Sequence, residues 1–288
     1  YEKEYIRETV DELLRAGNGD NKLRILDVGC GTGRIAEYLA RHEQRGKIEL
    51  VGVDFAGQML SHASAKLKRM SETCSVELGK NRCSEKSNKL SVSLFRTPAE
   101  DLTFLGKLYP KGFDLIIMGF GLLSYVNASE VLMRSESSKK KTGAVGVLRS
   151  GGKLLFSVYN EKSLAYSVVR NLDYDDEEIA VAALVDLSSG FLKVGKKETR
   201  LFACEAFSVE RIVRFLRQSG LELDENEIKT FPVLHLVTKN SESASWDKHP
   251  YLQRGRFHPE LYQQDVALSN ALVDRGHYIV GVAEKGLD

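Results

Sequence analysis

The sequence lacks a dominant charge and lacks a long apolar run. Its 41 Lys and Arg stand against 40 Asp and Glu, a net charge of +1, so there is no general electrostatic pull toward nucleic acid or a membrane surface. The longest apolar stretch, LIIMGFGLLSYV at 115–126, falls short of the ~20 residues that span a bilayer. No signal peptide is visible, and the chain opens on Tyr1 rather than methionine, so its native start is expected upstream. The four cysteines (Cys30, Cys74, Cys83, Cys204) have no C-x-x-C spacing, which argues against a disulfide framework in a chain this long. Cys74 and Cys83 share a polar segment, where plain thiols are expected over a zinc or disulfide role. These absences point to a cytoplasmic protein without membrane, metal or extended nucleic-acid partners. There is no internal repeat and no Gly/Ser linker either, so one domain is expected across 1–288. Polar or loosely patterned stretches at 71–90, 161–206 and 239–276 read as insertions, the last two as a lid over a substrate.

Forty-two per cent hydrophobic residues can fill a proper core. Apolar strands and amphipathic helices alternate, which predicts an α/β fold around a mostly parallel sheet. EKEYIRETVDELLRA (2–16) reads as an amphipathic helix, and KLRILDV (22–28) as a buried strand. A helix is expected at 34–42, a strand at 48–54, a helix at 59–70, and strands at 91–96, 113–118 and 153–159. A weak helical stretch at 129–148 carries Lys139-Lys140-Lys141, read as a solvated face. A helix is expected near 161–171 and a hairpin across GFLKVGKKETRLFAC (190–204). Ser208 suits the N-cap and Gly220 the C′ position of a helix between them. FPVLHLV (231–237) and HYIVGVAE (277–284) complete seven strands.

The chemistry gathers at RILDVGCGTG (24–33). Gly29, Gly31 and Gly33 sit where a strand turns into a helix, and there the backbone can approach a ligand closely. Gly31-x-Gly33-x-x-Ala36 even satisfies a dinucleotide fingerprint. Asp54 ends the next strand, 21 positions after Gly33, and can hold ribose hydroxyls in either reading. Asp27 separates them. Against a pyrophosphate it would meet like charge, at roughly 4 kcal/mol for two unit charges about 4 Å apart at an effective dielectric of 20. A ligand with a cation at that point turns the cost into a gain. S-adenosylmethionine carries an ammonium and a sulfonium and no phosphate.

With Asp27-Val28-Gly29-Cys30-Gly31-Thr32-Gly33 the chain resembles the class I S-adenosylmethionine-dependent methyltransferases, whose first motif is (D/E)-x-G-x-G-x-G. The resemblance continues through VGVDFAGQML (51–60), TPAEDLTF (97–104), FDLIIMGFGLLSYV (113–126) and VLRSGGKLLFSVYN (147–160), in the family's order. It implies a Rossmann-like seven-stranded sheet with an antiparallel last strand and helices on both faces. It implies S-adenosyl-L-methionine as cofactor and S-adenosyl-L-homocysteine as product. Asp27 and the Gly29 backbone would hold the amino end, with Cys30, Gly31 and Gly33 completing the loop. Asp54 would take the ribose hydroxyls, and Phe55 and Met59 would pack on adenine. Many relatives place an Asp just before Ala99; this chain has Pro98. Adenine would then meet the Ala99 N–H, and its amine would turn to Glu100, with Asp101 as the other choice.

Methyl transfer from a sulfonium needs alignment and exclusion of water, and a base only where the nucleophile must lose a proton. The (D/N/S)-P-P-(Y/F/W) motif of nucleobase and glutamine amino-methylating enzymes is missing; its place reads Met118-Gly119-Phe120-Gly121, an apolar pocket wall. No Pro-Cys nucleophile for cytosine is present. The expected acceptor is therefore a small molecule, methylated on N, O or C. Tyr5, Phe120, Tyr159 and Asn160 are the candidate substrate residues, and Tyr159 and His235 the candidate proton-handling groups. Trp246, Tyr251, Arg256 and His258 fall in the late insertion. The rival readings are a protein or RNA methyltransferase using the Lys139–Lys141 face, a non-catalytic S-adenosylmethionine-binding regulator, and a nicotinamide-dependent oxidoreductase.

Overall fold

The computed structural model describes residues 2–17, 22–79, 88–132, 143–163, 184–186, 191–194, 202–231, 263, 267 and 274–287. Six strands run parallel: β1 (Leu23–Val28), β2 (Ile48–Asp54), β3 (Cys74–Leu78), β4 (Leu90–Arg96), β5 (Phe113–Met118) and β6 (Leu148–Asn160), in the order β3-β4-β2-β1-β5-β6. β12 (Tyr278–Lys285) lies antiparallel against β6. β10 (Leu221–Glu222) and β11 (Lys229–Phe231) pair with β12 in turn. The tip of β6 also meets β9 (Phe202–Phe207), which forms a hairpin with β8 (Phe191–Val194); β7 (Leu184–Asp186) flanks β8.

Successive strand residues point to opposite faces, and each face has its own apolar core. Ile25, Leu50, Leu115, Ile117 and Leu155 pack on one side, under Ile6, Val10 and Leu13 of α1 (Glu2–Ala16), Ile35 and Leu39 of α2 (Arg34–Leu39), and Leu60 and Leu67 of α3 (Gly57–Arg69). Leu26, Val53, Ile116, Met118 and Phe156 pack on the other. That side is covered by α4 (Thr103–Leu108), α5 (Leu122–Tyr125), α6 (Ala128–Leu132), α7 (Ala144–Val147) and α8 (Val209–Gln218). Both faces of the parallel strands are thus covered, which is why those strands read as near-continuous apolar runs.

Several boundaries differ from the sequence pattern. The stretch expected as an insertion at 71–90 holds β3, a parallel edge strand on β4. An edge strand half open to water needs no apolar run, and of its five residues only Cys74 is fully buried while two are exposed. The helix expected over 34–42 ends at Leu39, where Ala40, Arg41 and His42 close it in turns. The stretch 129–148 divides between α6 and α7. The hairpin expected across 190–204 is present as β8–β9. Of the strand expected at 231–237, only Phe231 is described, closing β11. Cys83, Lys139–Lys141, His235, Trp246, Tyr251, Arg256 and His258 lie outside the described residues. No helix among the described residues is long and apolar enough to cross a membrane.

Ser208 caps α8, its Oγ accepting from Arg211 N at 3.2 Å, and Gly220 adopts φ +82° just past the helix. Ser208→Ala should therefore cost about 1 kcal/mol. Urea unfolding should show a lower midpoint with an unchanged slope.

Candidate functional site

The carboxyl ends of β1, β2, β4 and β5 meet at one edge, the side of an open α/β sheet where ligands bind. The turn after β1 passes through left-handed conformations at Gly29 (φ +71°), Gly31 (+52°) and Gly33 (+72°). Side chains there would be strained, but the three differ in surroundings. A Cβ on Gly33 would meet the Ala63 Cβ at 3.2 Å, so this glycine brings α2 against α3. A Cβ on Gly29 would strike Leu122 Cδ1 at 2.8 Å. A Cβ on Gly31 would meet nothing nearer than Gly29 O at 4.0 Å. The loop at Gly31 therefore lines open space, a cradle that a ligand can enter.

The loop is tied to the end of β2. Gly29 N and Cys30 N both donate to Val53 O, at 2.8 and 2.9 Å, and Gly33 N donates to Cys30 O at 2.9 Å. The Asp54 carboxylate accepts from Gly31 N through Oδ2 and from Ala56 N through Oδ1, each at 2.8 Å. A carboxylate has about four acceptor positions, so Asp54 keeps capacity for two more donors. Next to it, Phe55 is 73% exposed and Met59 44%: an aromatic ring and a thioether open to water beside an acid.

Asp27 pairs through its backbone with Gly52 on one side and Ile117 on the other. Its residue is only 3% exposed, and among the described residues no group donates to its carboxylate. Burial, reinforced by the Asp54 charge, holds the Asp27 carboxyl well above the ordinary carboxylate range. The same burial, with both acids nearby, pushes the Cys30 thiol far up and leaves it a packed, un-ionised group. An anion this buried needs a cationic partner.

Beyond β4, Thr97 N donates to Asp54 O at 3.1 Å, and Thr97 Oγ1 to Asp101 O at 2.8 Å. Asp101 Oδ1 accepts from Thr103 N at 3.3 Å, on the first residue of α4. The two acids left open by the sequence thus separate: Asp101 serves the helix start, while Glu100 is half-buried with no bonded partner among the described residues. Ala99 packs against the core on the same turn.

The turn after β5 forms the opposite wall. Met118 is wholly buried in the core. Phe120 has φ +55°, uncommon for a residue with a side chain. Its N–H donates to Glu2 Oε1 at 2.9 Å, and Gly121 N donates to Ser157 Oγ at 2.9 Å. Burial raises the Glu2 carboxyl above its usual range, against the lowering effect of Ser157 and the Phe120 N–H. The first turn of α1 is thereby bonded to the loop after β5. Arg34, the first residue of α2, lays its guanidinium over the Phe120 ring at 4.2 Å. Sequence reasoning missed both Glu2 and Arg34. An acid in a helix's first turn reads as a solvated dipole partner, and an Arg after a glycine loop reads as surface.

Tyr159 is 8% exposed, and Tyr125 and Tyr159 share a hydroxyl hydrogen bond of 2.7 Å. The Tyr159 ring stacks on Tyr278 at 5.0 Å and meets His277 edge-on at 5.2 Å. Burial, aided by the neighbouring phenols, pushes the Tyr159 hydroxyl far up, and burial lowers His277 to about 4. Both are neutral at pH 7. Asn160 is engaged elsewhere: Nδ2 donates to Asp274 O and Gly276 O, and Oδ1 accepts from Lys162 N. It ties the tip of β6 to the entry of β12. Tyr5 points its ring at Phe231, with centroids 5.8 Å apart. The structure therefore brings Asp27, the glycine loop, Asp54, Phe55, Met59, Ala99 and Glu100 to one edge, with Phe120 opposite.

Asp27→Asn should stabilise the ligand-free protein by roughly 0.5–2 kcal/mol at neutral pH, the scale typical of relieving a strained site. A raised folded-state pKa penalises the ionised form, so the gain should shrink as pH falls and wild-type Asp27 takes up its proton. Thermal melts of the two proteins from pH 8 to pH 4 would check this.

Residues 25–139 match the protein-family model described as "Methyltransferase domain". No curated protein sequence matches the chain. Among solved structures, one from Listeria monocytogenes, named as an S-adenosylmethionine-dependent methyltransferase, superposes with a TM-score of 0.50 at 17% identity, covering 96% of this chain and 95% of that one. The CurJ carbon methyltransferase also gives 0.50, at 13% identity, over 99% of this chain and 54% of that one. An S-adenosylmethionine-dependent methyltransferase of Mesorhizobium loti gives 0.48 at 15% identity, over 96% of each chain. The two superpositions at 0.50 share the fold, and the segment matched by the family model holds the glycine loop, both acids and the turn after β5. Residues 25–139 are therefore similar to a methyltransferase domain, and the chain shares the fold of these structures.

Proposed function

We propose that this enzyme methylates a small molecule on N, O or C, with the cofactor seated along the edge formed by β1, β2, β4 and β5. The buried Asp27 carboxylate carries the reading: it has no donor among the described residues, it is costly when ionised, and it suits an ammonium. In this reading Asp27 and the open Gly31 backbone hold the amino-acid end. Asp54 keeps two acceptor positions for the ribose hydroxyls while its bonds to Gly31 N and Ala56 N fix the loop. Phe55 and Met59 supply the faces that adenine needs, and Ala99 N–H with Glu100 reads its edge. When bound, S-adenosylmethionine supplies an electrophilic methyl on a sulfonium.

The chain's own contribution is alignment. The Phe120–Gly121 turn is held from two sides, by Glu2 and by Ser157, and its apolar wall excludes water. The Tyr125–Tyr159–Tyr278 cluster lies at the same end of the sheet and presents phenols that orient an acceptor by donating or accepting hydrogen bonds. A neutral phenol this far above its usual range is a poor base, so Tyr159 positions rather than deprotonates. The charge balance of +1 supports a small acceptor over a polyanionic one.

Asp54→Ala should weaken S-adenosylhomocysteine binding by about 1.5–3 kcal/mol, the scale of hydrogen bonds to a charged group. An unchanged calorimetric affinity would contradict the ribose role. Binding should also be proton-linked: free Asp27 holds its proton to higher pH than it does beside an ammonium, so affinity should rise with pH and protons should be released. Titration in two buffers of different ionisation enthalpy measures that release, and Asp27→Asn should abolish it. For the acceptor, a metabolite screen for S-adenosylhomocysteine formation is the test. Turnover only with RNA or protein would overturn the small-molecule reading.

A further inference from the structure

The amino-acid end of the cofactor is a zwitterion, and Asp27 answers only its cation. The carboxylate needs a positive partner of its own, and four side chains on this edge, Asp27, Asp54, Glu2 and Glu100, are acids that cannot supply it. A six-residue α2 offers little dipole to replace one. Among the described residues, Arg96 and Arg34 bring guanidiniums to this edge. Arg96 donates through Nε to Phe55 O at 3.1 Å, on the flank of β2 and β4 beside the exposed aromatic. Arg34 follows the glycine loop directly and sits over Phe120, on the flank of β1 and β5. Of these two, Arg34 lies by the turn after β5, a strand that pairs directly with β1, whereas β4 is separated from β1 by β2.

Arg34 is also uncommitted. It is exposed, and among the described residues no carboxylate forms an ion pair with it; Glu2 feels its charge without bonding to it. The contact it does make is with an aromatic ring, at 4.2 Å from the guanidinium carbon to the ring centre, an attraction that consumes no carboxylate partner. A planar fork with open donors matches a carboxylate in a two-bond geometry. The platform is itself held in a strained conformation: Phe120 stays at φ +55° with its N–H on Glu2. Strain of this kind persists where the surroundings over-determine it, and it clusters at ligand clamps.

Building on the cofactor reading above, we propose that Arg34 is the anchor for the cofactor's α-carboxylate, with the Phe120 ring as its platform. Asp27 and Arg34 then form a complementary pair for the two ends of one zwitterion. Glu2 acts through Phe120 as a positioning residue, and so the first turn of α1 contributes to cofactor affinity from outside the glycine loop.

Two ligands separate the roles: S-adenosylhomocysteine, and S-adenosyl-3-thiopropylamine, which keeps the ammonium and lacks the carboxylate. In calorimetric titrations at fixed salt, Arg34→Gln should weaken S-adenosylhomocysteine ~10- to 100-fold, the scale of a lost charge-assisted pair, and the amine less than threefold. Arg34→Lys should recover part of the loss as a point charge without the fork. Phe120→Leu should give a smaller loss, again confined to the carboxylate-bearing ligand. An Arg34→Gln variant that weakens both ligands equally, or neither, overturns the proposal. A wild-type chain that binds neither ligand refutes the cofactor reading beneath it. Melting of each variant within a few degrees of wild type confirms that the comparison is between folded proteins.

Discussion

A carboxylate is held inside a sheet, between two apolar cores, with no hydrogen-bond donor to it among the described residues. Asp27 occupies that position because the register of β1 against β2 and β5 leaves it no other. Its backbone is fixed on both sides, by Gly52 and Ile117. The second acid, Asp54, raises the cost of ionisation further. The rest of the edge follows from this one unfavourable charge. The glycine loop must keep an open approach to it, so the backbone turns through left-handed conformations where side chains would intrude. Asp54 must hold that loop, and does so through Gly31 N while keeping acceptor capacity. The two apolar faces of the sheet supply the stability that a buried charge subtracts.

The wall opposite the glycine loop shows the same logic from another direction. The turn after β5 carries an aromatic residue in a conformation that favours glycine, and it is clamped by groups far away in sequence. Glu2 reaches across from the first turn of α1, and Ser157 from the tip of β6. Such a turn is rigid without being regular secondary structure. Rigid, apolar and water-excluding surroundings are what an in-line displacement on a sulfonium requires, because the leaving group needs little help. Arg34 on the ring of Phe120 brings a positive charge into the same assembly.

Much of this was legible in the chain itself. Strand alternation, the Ser208 cap and the Gly220 stop are local signals with local causes, and the structure has them. The glycine spacing and the acid before it also read correctly as a loop at the end of a buried strand. What misread was context-dependent. Residues 71–90 looked patternless because β3 is an edge strand that shares its polar side with water. Asn160 ends a strand at the ligand-facing edge of the sheet, and its side-chain amide donates to the backbone of Asp274 and Gly276, partners that no local signal names. Glu100 and Asp101 were indistinguishable until the turn before α4 took up one of them.

The sequence by itself determined the alternation of elements, the place of the glycine loop and the sign of the charge beside it, since each depends on neighbours a few positions apart. Only the tertiary structure decided which distant groups share that edge. Glu2 and Phe120 stand 118 positions apart, and Gly121 and Ser157 stand 36 apart; no periodicity or spacing carries such pairings. They arise when the strands line up and two apolar faces are buried at once, which places the ends of unrelated segments within reach of a hydrogen bond.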